Sequence, residues 1–298
     1  MKIITSVVNN PSYIIIQYYL LKKFFLDDFE YIVFNDAKDF PDYSNFQDET
    51  IKKEIENTCN ILNIKCINIP NEHHRTELNS LVRTSDSMNY MLKYQLTNPD
   101  KYLIIDSDMF LIDYLNPEKY YQHDCAVVLK QTDNKTYNYM WNGFVYFDMH
   151  KMKNLSFLNW DCRDGNNVGL RMNDWFHCWF LENNKHHIIE PSVIRNVEKD
   201  SVPVDNVLFI RYLHSQTWDE KDLPENLKHN QPLKEFVKTD IRYKRNKNIH
   251  DKYICEIYDN KFLHLTSGGN HLKEDKINHQ YYTQQLINIS HKLLHNLN

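Results

Sequence analysis

At 298 residues, with 42% hydrophobic and 25% charged side chains, the chain is long enough to bury one large core, or two abutting ones, without disulfides or structural metals. A net charge of −5 excludes nonspecific nucleic-acid binding, which needs a basic surface to neutralise phosphates, and the basic run RYKRNKNIHDK at 242–252 is diluted by Asn and Asp into a solvated face. Six cysteines (59, 66, 125, 162, 178 and 255) form no CxxC pair and no metal-ligand spacing, the usage of reduced thiols in a cytosolic protein.

The N-terminus MKIITSVVNN carries too short an apolar run for a signal peptide, and KIITSVV (2–8) reads as a first strand. Pro11 and Ser12 open a helix to about Leu26; its apolar stretch at 13–26 is broken by Gln17, Lys22 and Lys23, so it is too polar to span a bilayer. YIVFND (31–36) is a second strand, 48–62 a helix, and KCINIP (65–70) a third strand. A long helix over 76–97 carries an apolar stripe of Leu78, Leu81, Val82, Met88, Met91, Leu92 and Leu96, and YLIIDSD (102–108) follows as a fourth strand. Helices alternating with near-continuous apolar strands predict a parallel sheet covered on both faces.

Beyond residue 110 the pattern loosens: CAVVLK (125–130), GFVYFDM (143–149), HHIIEP (186–191), VLFIRYLH (207–214) and KFLHLTS (261–267) read as strands, and 276–297 as an amphipathic helix. The expectation is one mixed α/β domain, with an alternating first half at 1–110, a second half at 111–275 that carries substrate-specific elaborations, and a C-terminal helix at 276–298. Ligands of such sheets bind beyond the carboxyl ends of the strands, so the polar ends TSVVNN, FND and DSD share one crevice.

Four motifs carry chemistry. Asp106 and Asp108, the sole D-x-D triplet, sit at a strand end where both carboxylates reach one hard divalent cation such as Mn2+ or Mg2+; a polar turn is the plainer alternative. In MWNGFVYFDM the pair Asn142–Gly143 offers an amide and a close backbone approach, although Asn-Gly is also simply a turn signal. In MNDWFHCWFLE, Asn173 or Asp174 caps a helix faced with Trp175, Phe176, Trp179 and Phe180, and a carboxylate at that place also suits a base. In FLHLTSGGNHLKED, His264 is followed by two glycines whose N–H groups suit a phosphate.

In this order the motifs resemble the nucleotide-sugar-dependent glycosyltransferases of the GT-A fold, and among them the glycogenin and lipooligosaccharide galactosyltransferase group, over roughly residues 3–273. The resemblance implies a Rossmann-like mixed sheet flanked by helices. It makes Asp106, Asp108 and His264 metal ligands, with Asp106 also near the ribose. Thr5, Val7, Asp36 and Arg83 then lie around the nucleotide; Asn142, Gly143 and Asp174 around the donor sugar; Ser267, Gly268 and Lys273 by the diphosphate. The implied reaction is metal-dependent transfer of a sugar from a UDP- or GDP-sugar to an acceptor hydroxyl. Asp174 is the base if the reaction inverts; Asp174 or Asn142 lies beneath the anomeric carbon if it retains.

The chain departs from that group's pattern in three places: Asn142 abuts Gly143, MNDWFH stands for an acidic-Gln turn, and HLTSGGNHLK replaces the usual His-to-Trp ending. A dehalogenase-like phosphatase would place its D-x-D near the first strand, and a sugar nucleotidylyltransferase needs a Gly-rich, Arg-containing loop after it; TSVVNNPSY has none. A degenerate member that binds glycans or nucleotides without turnover is the non-enzymatic alternative.

Overall fold

The computed structural model describes residues 1–37, 51–70, 79–132, 137–162, 167–183, 195, 199–239, 252–265 and 276–295. An eight-stranded mixed sheet runs in the order β3-β2-β1-β4-β7-β6-β9-β8, and a four-stranded sheet runs β10-β11-β12-β5. The strands are β1 (Lys2–Val7), β2 (Glu30–Asn35), β3 (Lys65–Asn68), β4 (Lys101–Ile105), β5 (Met109–Leu111), β6 (Cys125–Gln131), β7 (Asn138–Asp148), β8 (Val202–Val204), β9 (Val207–Phe209), β10 (Tyr212–Leu213), β11 (Glu256–Tyr258) and β12 (Phe262–His264). The helices are α1 (Pro11–Phe24), α2 (Ile51–Leu62), α3 (Ser80–Thr97), α4 (Glu118–Tyr121), α5 (Met172–Glu182), α6 (Gln231–Thr239) and α7 (Lys276–His295). No helix among the described residues is long and apolar enough to cross a membrane.

The mixed α/β fold with a large sheet flanked by helices is the expected class. Strands β3, β2, β1 and β4 are parallel, and their side chains alternate between two cores. Ile3 and Val7 of β1, Tyr31 and Val33 of β2, and Leu103 and Ile105 of β4 join α1, α2 and the small sheet on one side. Ile4, Ile32, Phe34, Tyr102 and Ile104 join α3 and α5 on the other. Burial on both faces explains why these strands read as unbroken apolar runs. Asn10 caps α1, accepting from the Ser12 N–H ahead of Pro11, and Asn79 caps α3, accepting from the Val82 N–H at 2.9 Å.

The chain runs from β1 outward through β2 to β3 and returns on the other side of β1 as β4. The order therefore reverses between β1 and β4, the position at which an open α/β sheet leaves a crevice at its carboxyl edge. Asp106 is the first residue beyond β4.

Several expectations are revised. The helix expected at 76–97 is described from Ser80, and Leu96 is not part of its buried stripe, being 44% exposed. The buried face of α3 instead begins with Arg83, Ser85 and Ser87. The strand expected over 207–214 is split between the sheets. Ile210 N–H donates to Val127 in the large sheet, while the Arg211 carbonyl accepts from Asp259 at the small sheet's hairpin. The strand expected at 143–149 is part of the longer β7. In register, Met140 faces Leu129 and Val145 faces Val127, so residues 141–144 oppose Val128 alone. Trp141-Asn142-Gly143 is thus an enlarged bulge inside a strand, which re-aims side chains at the sheet edge. The strand expected at 186–191 lies outside the described residues.

Candidate metal centre at the carboxyl edge

Asp106 to Met109 form a tight turn between β4 and β5, closed by the Met109 N–H donating to the Asp106 carbonyl at 3.1 Å. The turn is held from α1. Gln17 is 1% exposed, and its Nε2 donates to the carbonyls of Asp106 and Met109, each at 2.7 Å. Its Oε1 accepts from the Tyr31 hydroxyl. In the sequence Gln17 is only a polar break in an apolar stretch; in the fold it fixes the backbone that carries both aspartates. Replacing Gln17 by Leu takes a donor from each of two carbonyls and strands the buried Tyr31 hydroxyl. We expect a loss of about 3 kcal/mol in denaturant unfolding and an Mn2+ affinity lower by about tenfold; unchanged values for both would remove Gln17 from this role.

The third member comes from the small sheet. His214 extends the β10–β11 register to lie beside Glu256, Glu256 pairs with His264, and His264 pairs with Met109. Four elements thereby line up a row ending at Asp108. His264 Nε2 lies 3.2 Å from Asp108 Oδ1, and His264 Nδ1 lies 2.9 Å from Glu256 Oε2. Ligand atoms of Asp106, Asp108 and His264 all fall within 4.8 Å of one another. Glu256 also takes His214 Nδ1 at 2.6 Å, the Ser215 N–H at 3.2 Å and the Tyr258 hydroxyl at 2.7 Å.

Burial pushes the Asp106 carboxyl up, and the neighbouring Asp108 pushes it further, to about 6, against His264 and the Ser107 N–H. Burial lowers the His264 pKa, but Asp108 and Glu256 overcome it and raise it to about 10. Burial raises the Glu256 pKa, and His214, His264 and Lys130 more than reverse that, holding it well below the carboxylate range.

Above the row lies an aromatic stack. Trp141 from the β7 bulge stacks on Tyr258 with ring centroids 4.6 Å apart, and Tyr258 stacks on Tyr212 at 5.4 Å. Trp141 also meets the edge of His264 at 5.1 Å. Lys130 Nζ, from the end of β6, sits 4.2 Å over Trp141 and 5.8 Å from the Tyr212 ring. Burial lowers the Lys130 pKa, Glu256 and Asp106 pull it up, and Arg195 pushes it down.

Gly143 serves the bulge in two ways. Its carbonyl accepts from the Asp106 N–H at 2.9 Å, and a Cβ built on it would come within 2.3 Å of Trp141 Cη2. The room that the missing side chain leaves is taken by the indole. Gly143→Ala must displace the ring. We expect a cost of about 1–3 kcal/mol, measured by thermal melting, together with a changed tryptophan near-UV CD band; an unaltered band would show that the indole is not held as described. Asn142, beside it, is half-buried, and its amide has no hydrogen-bond partner among the described residues.

The residues expected around a nucleotide lie at the same edge. Thr5 is fully buried on β1, Asp36 follows β2 with its N–H donating to the Val7 carbonyl at 2.8 Å, and Arg83 is on the buried face of α3. Val7 itself is a core side chain at 1% exposure, so only its backbone is available to a ligand. Ser6 and Ser87 hydroxyls meet at 2.9 Å, while Thr5 Oγ1 and Ser85 Oγ are buried without a partner among the described residues. Buried orphan hydroxyls are rare unless water or a ligand meets them.

Asp174 is not the cap of α5. The helix begins at Met172 after Arg171, and Asp174 lies in its first turn, half-exposed and 3.7 Å from the Arg171 guanidinium. No contact among the described residues joins it to the triad. Ser267, Gly268 and Lys273 lie outside the described residues.

Two carboxylates and an imidazole match the donor set of Mn2+ or Mg2+, and a buried carboxylate on the second imidazole nitrogen is the usual orienting partner of a metal-bound histidine. The residues therefore fit a divalent cation. Gln17, Glu256, His214, Tyr258 and Lys130 were not apparent from motif spacing. A signal for Glu256 exists in EIYDNKFLH, where Asp-Asn between two alternating runs marks a hairpin that sets Glu256 opposite His264.

No family model matches the chain, and no curated protein matches it. Among solved structures it is similar to a galactosyltransferase, LgtC, in complex with donor and acceptor sugar analogues, at a TM-score of 0.34 and 13% identity. The match covers 51% of this chain and 59% of that one, so it spans little more than half of either. The chemistry of the site stands on its own residues.

Proposed function

We propose that the protein is a metal-dependent glycosyltransferase that moves a sugar from a nucleoside-diphosphate sugar, with a UDP or GDP carrier, to an acceptor hydroxyl. The observation that carries this reading is the grouping of Asp106, Asp108 and His264 at the strand-order reversal, where a phosphorylated ligand is expected. Asp106, Asp108 and His264 hold Mn2+ or Mg2+, with Glu256 orienting the imidazole. When bound, the cation offsets the charge of the departing diphosphate.

The chain's own residues have distinct tasks. Thr5, Asp36, Arg83 and the Val7 backbone border the nucleotide, and the orphan hydroxyl of Thr5 offers it a hydrogen bond. Asn142, whose amide is unpaired among the described residues, contacts the donor sugar. Asp174 takes the acceptor proton as base if the reaction inverts; Ser267, Gly268 and Lys273 complete the diphosphate side. The anomeric carbon loses its bond to diphosphate oxygen and gains one to the acceptor oxygen, whose proton goes to the base. Six free cysteines support a reducing, cytoplasmic setting.

A thermal-shift screen of UDP- and GDP-sugars, free nucleotides and glycans, each with and without Mn2+, tests this reading. Stabilisation by nucleotide sugar only in the presence of metal is the expected result. Stabilisation by free glycan alone would identify a binding protein instead.

A further inference from the structure

We propose that Lys130 is the anion-holding group of the site, its ammonium taking an oxygen of the diphosphate carried by the ligand on the Asp106–Asp108–His264 triad. The inference rests on the metal-dependent reading above and assigns a task to a residue that reading does not use.

Lys130 stands at the carboxyl end of β6, the same sheet edge as Asp106. Its Nζ lies over the Trp141 ring at 4.2 Å, and that ring in turn abuts His264 at 5.1 Å. It is within electrostatic reach of Glu256 and Asp106 yet forms no ion pair or hydrogen bond with either. Among the described residues an aromatic face is therefore its closest partner, and a partly desolvated ammonium on such a face keeps its hydrogen-bond donors unspent.

The neighbouring carboxylates do not explain it. Glu256 is already satisfied by His214, Ser215, Tyr258 and His264. Asp106 and Asp108 face the place where a cation fits. Local charge points the same way. The charges gathered around Lys130 are those of three carboxylates, Asp106, Asp108 and Glu256, and of one further basic side chain, Arg195, whose field Lys130 feels. A divalent cation turns that balance positive whichever protonation state His264 takes, and an anionic ligand restores it. A diphosphate is the class that bridges a metal and an ammonium with separate oxygens.

Lys130→Met keeps the aliphatic stem on Trp141 and removes the charge; Lys130→Arg restores charge on a different head. Mn2+ binding is followed by the EPR signal of free Mn2+. Pyrophosphate binding at saturating Mn2+ is followed by calorimetry against a protein-free Mn2+–pyrophosphate reference. The expected result is that K130M binds Mn2+ as tightly as the wild type or more tightly, binds pyrophosphate at least about tenfold more weakly, and is largely rescued by K130R. Pyrophosphate affinity equal to wild type in K130M overturns the assignment while leaving the metal site intact. Loss of Mn2+ affinity in K130M overturns it too, making Lys130 a structural support. A wild-type protein that binds no Mn2+, or binds Mn2+ without pyrophosphate, brings down the metal-dependent reading and this inference together.

Discussion

Replacing Asp108 by Asn is expected to lower Mn2+ affinity by at least about a hundredfold, and Mn2+-dependent turnover of a nucleotide sugar by about a thousandfold, with little effect on folding. Asp108 is 5% exposed and faces His264 Nε2 at 3.2 Å, so its carboxylate cannot be replaced from solvent. Stability is spared for two reasons. His264 keeps Glu256 on its other nitrogen. Asp106, whose pKa burial and Asp108 push up to about 6, is relieved of a like charge. Mn2+ titration followed by EPR, with a melting curve taken in EDTA, separates the two effects. Wild-type Mn2+ affinity in the variant would remove Asp108 from the ligand set.

Replacing Glu256 by Gln is expected to be costly in both respects. Four donors converge on this carboxylate: His214, His264, the Ser215 N–H and the Tyr258 hydroxyl. An amide presents an NH2 group to some of them and leaves the buried His264 imidazolium with Asp108 as its one remaining charge partner. We expect a destabilisation of about 3–5 kcal/mol, read in denaturant unfolding, and an Mn2+ affinity lower by about 10- to 100-fold. The contrast between variants is the diagnostic: D108N loses metal and keeps its melting point in EDTA, whereas E256Q loses both. An E256Q protein as stable as the wild type would mean that the row across the small sheet is not held by this carboxylate.

The first half of the fold was legible because its physics is local. Strands 2–8, 31–36 and 102–108 bury both faces, so their apolar runs announce them, while 65–70 is a half-buried edge strand; all four match observed strands to within a few residues. Asp106 and Asp108 could be found because the turn that bears them directly follows such a run. The second half was less legible because its strands are short and exchange partners. Val207–Phe209 and Tyr212–Leu213 share one apolar run but serve two sheets, and Met109–Leu111 is a strand only because Phe262–His264 lies beside it. Trp141-Asn142-Gly143 looked like a turn since its composition suits one; pairing on both sides of β7 makes it a bulge instead. Gln17 and Glu256 were overlooked for a related reason. Their importance lies in partners distant in sequence, Gln17 with Asp106 and Met109, and Glu256 with His214.

The separation of the metal ligands along the chain has a consequence for how the site comes into being. Asp108 precedes His264 by about 150 residues, a delay of roughly ten to thirty seconds at ordinary rates of protein synthesis. Throughout that interval the nascent chain carries two crowded carboxylates with no imidazole between them and Glu256. The β11–β12 hairpin, made after every other described strand, must pair with β5 before the cluster exists. A cation that prefers the completed cluster therefore draws the finished chain toward that final pairing, and no shorter chain ending before His264 can carry the assembled site.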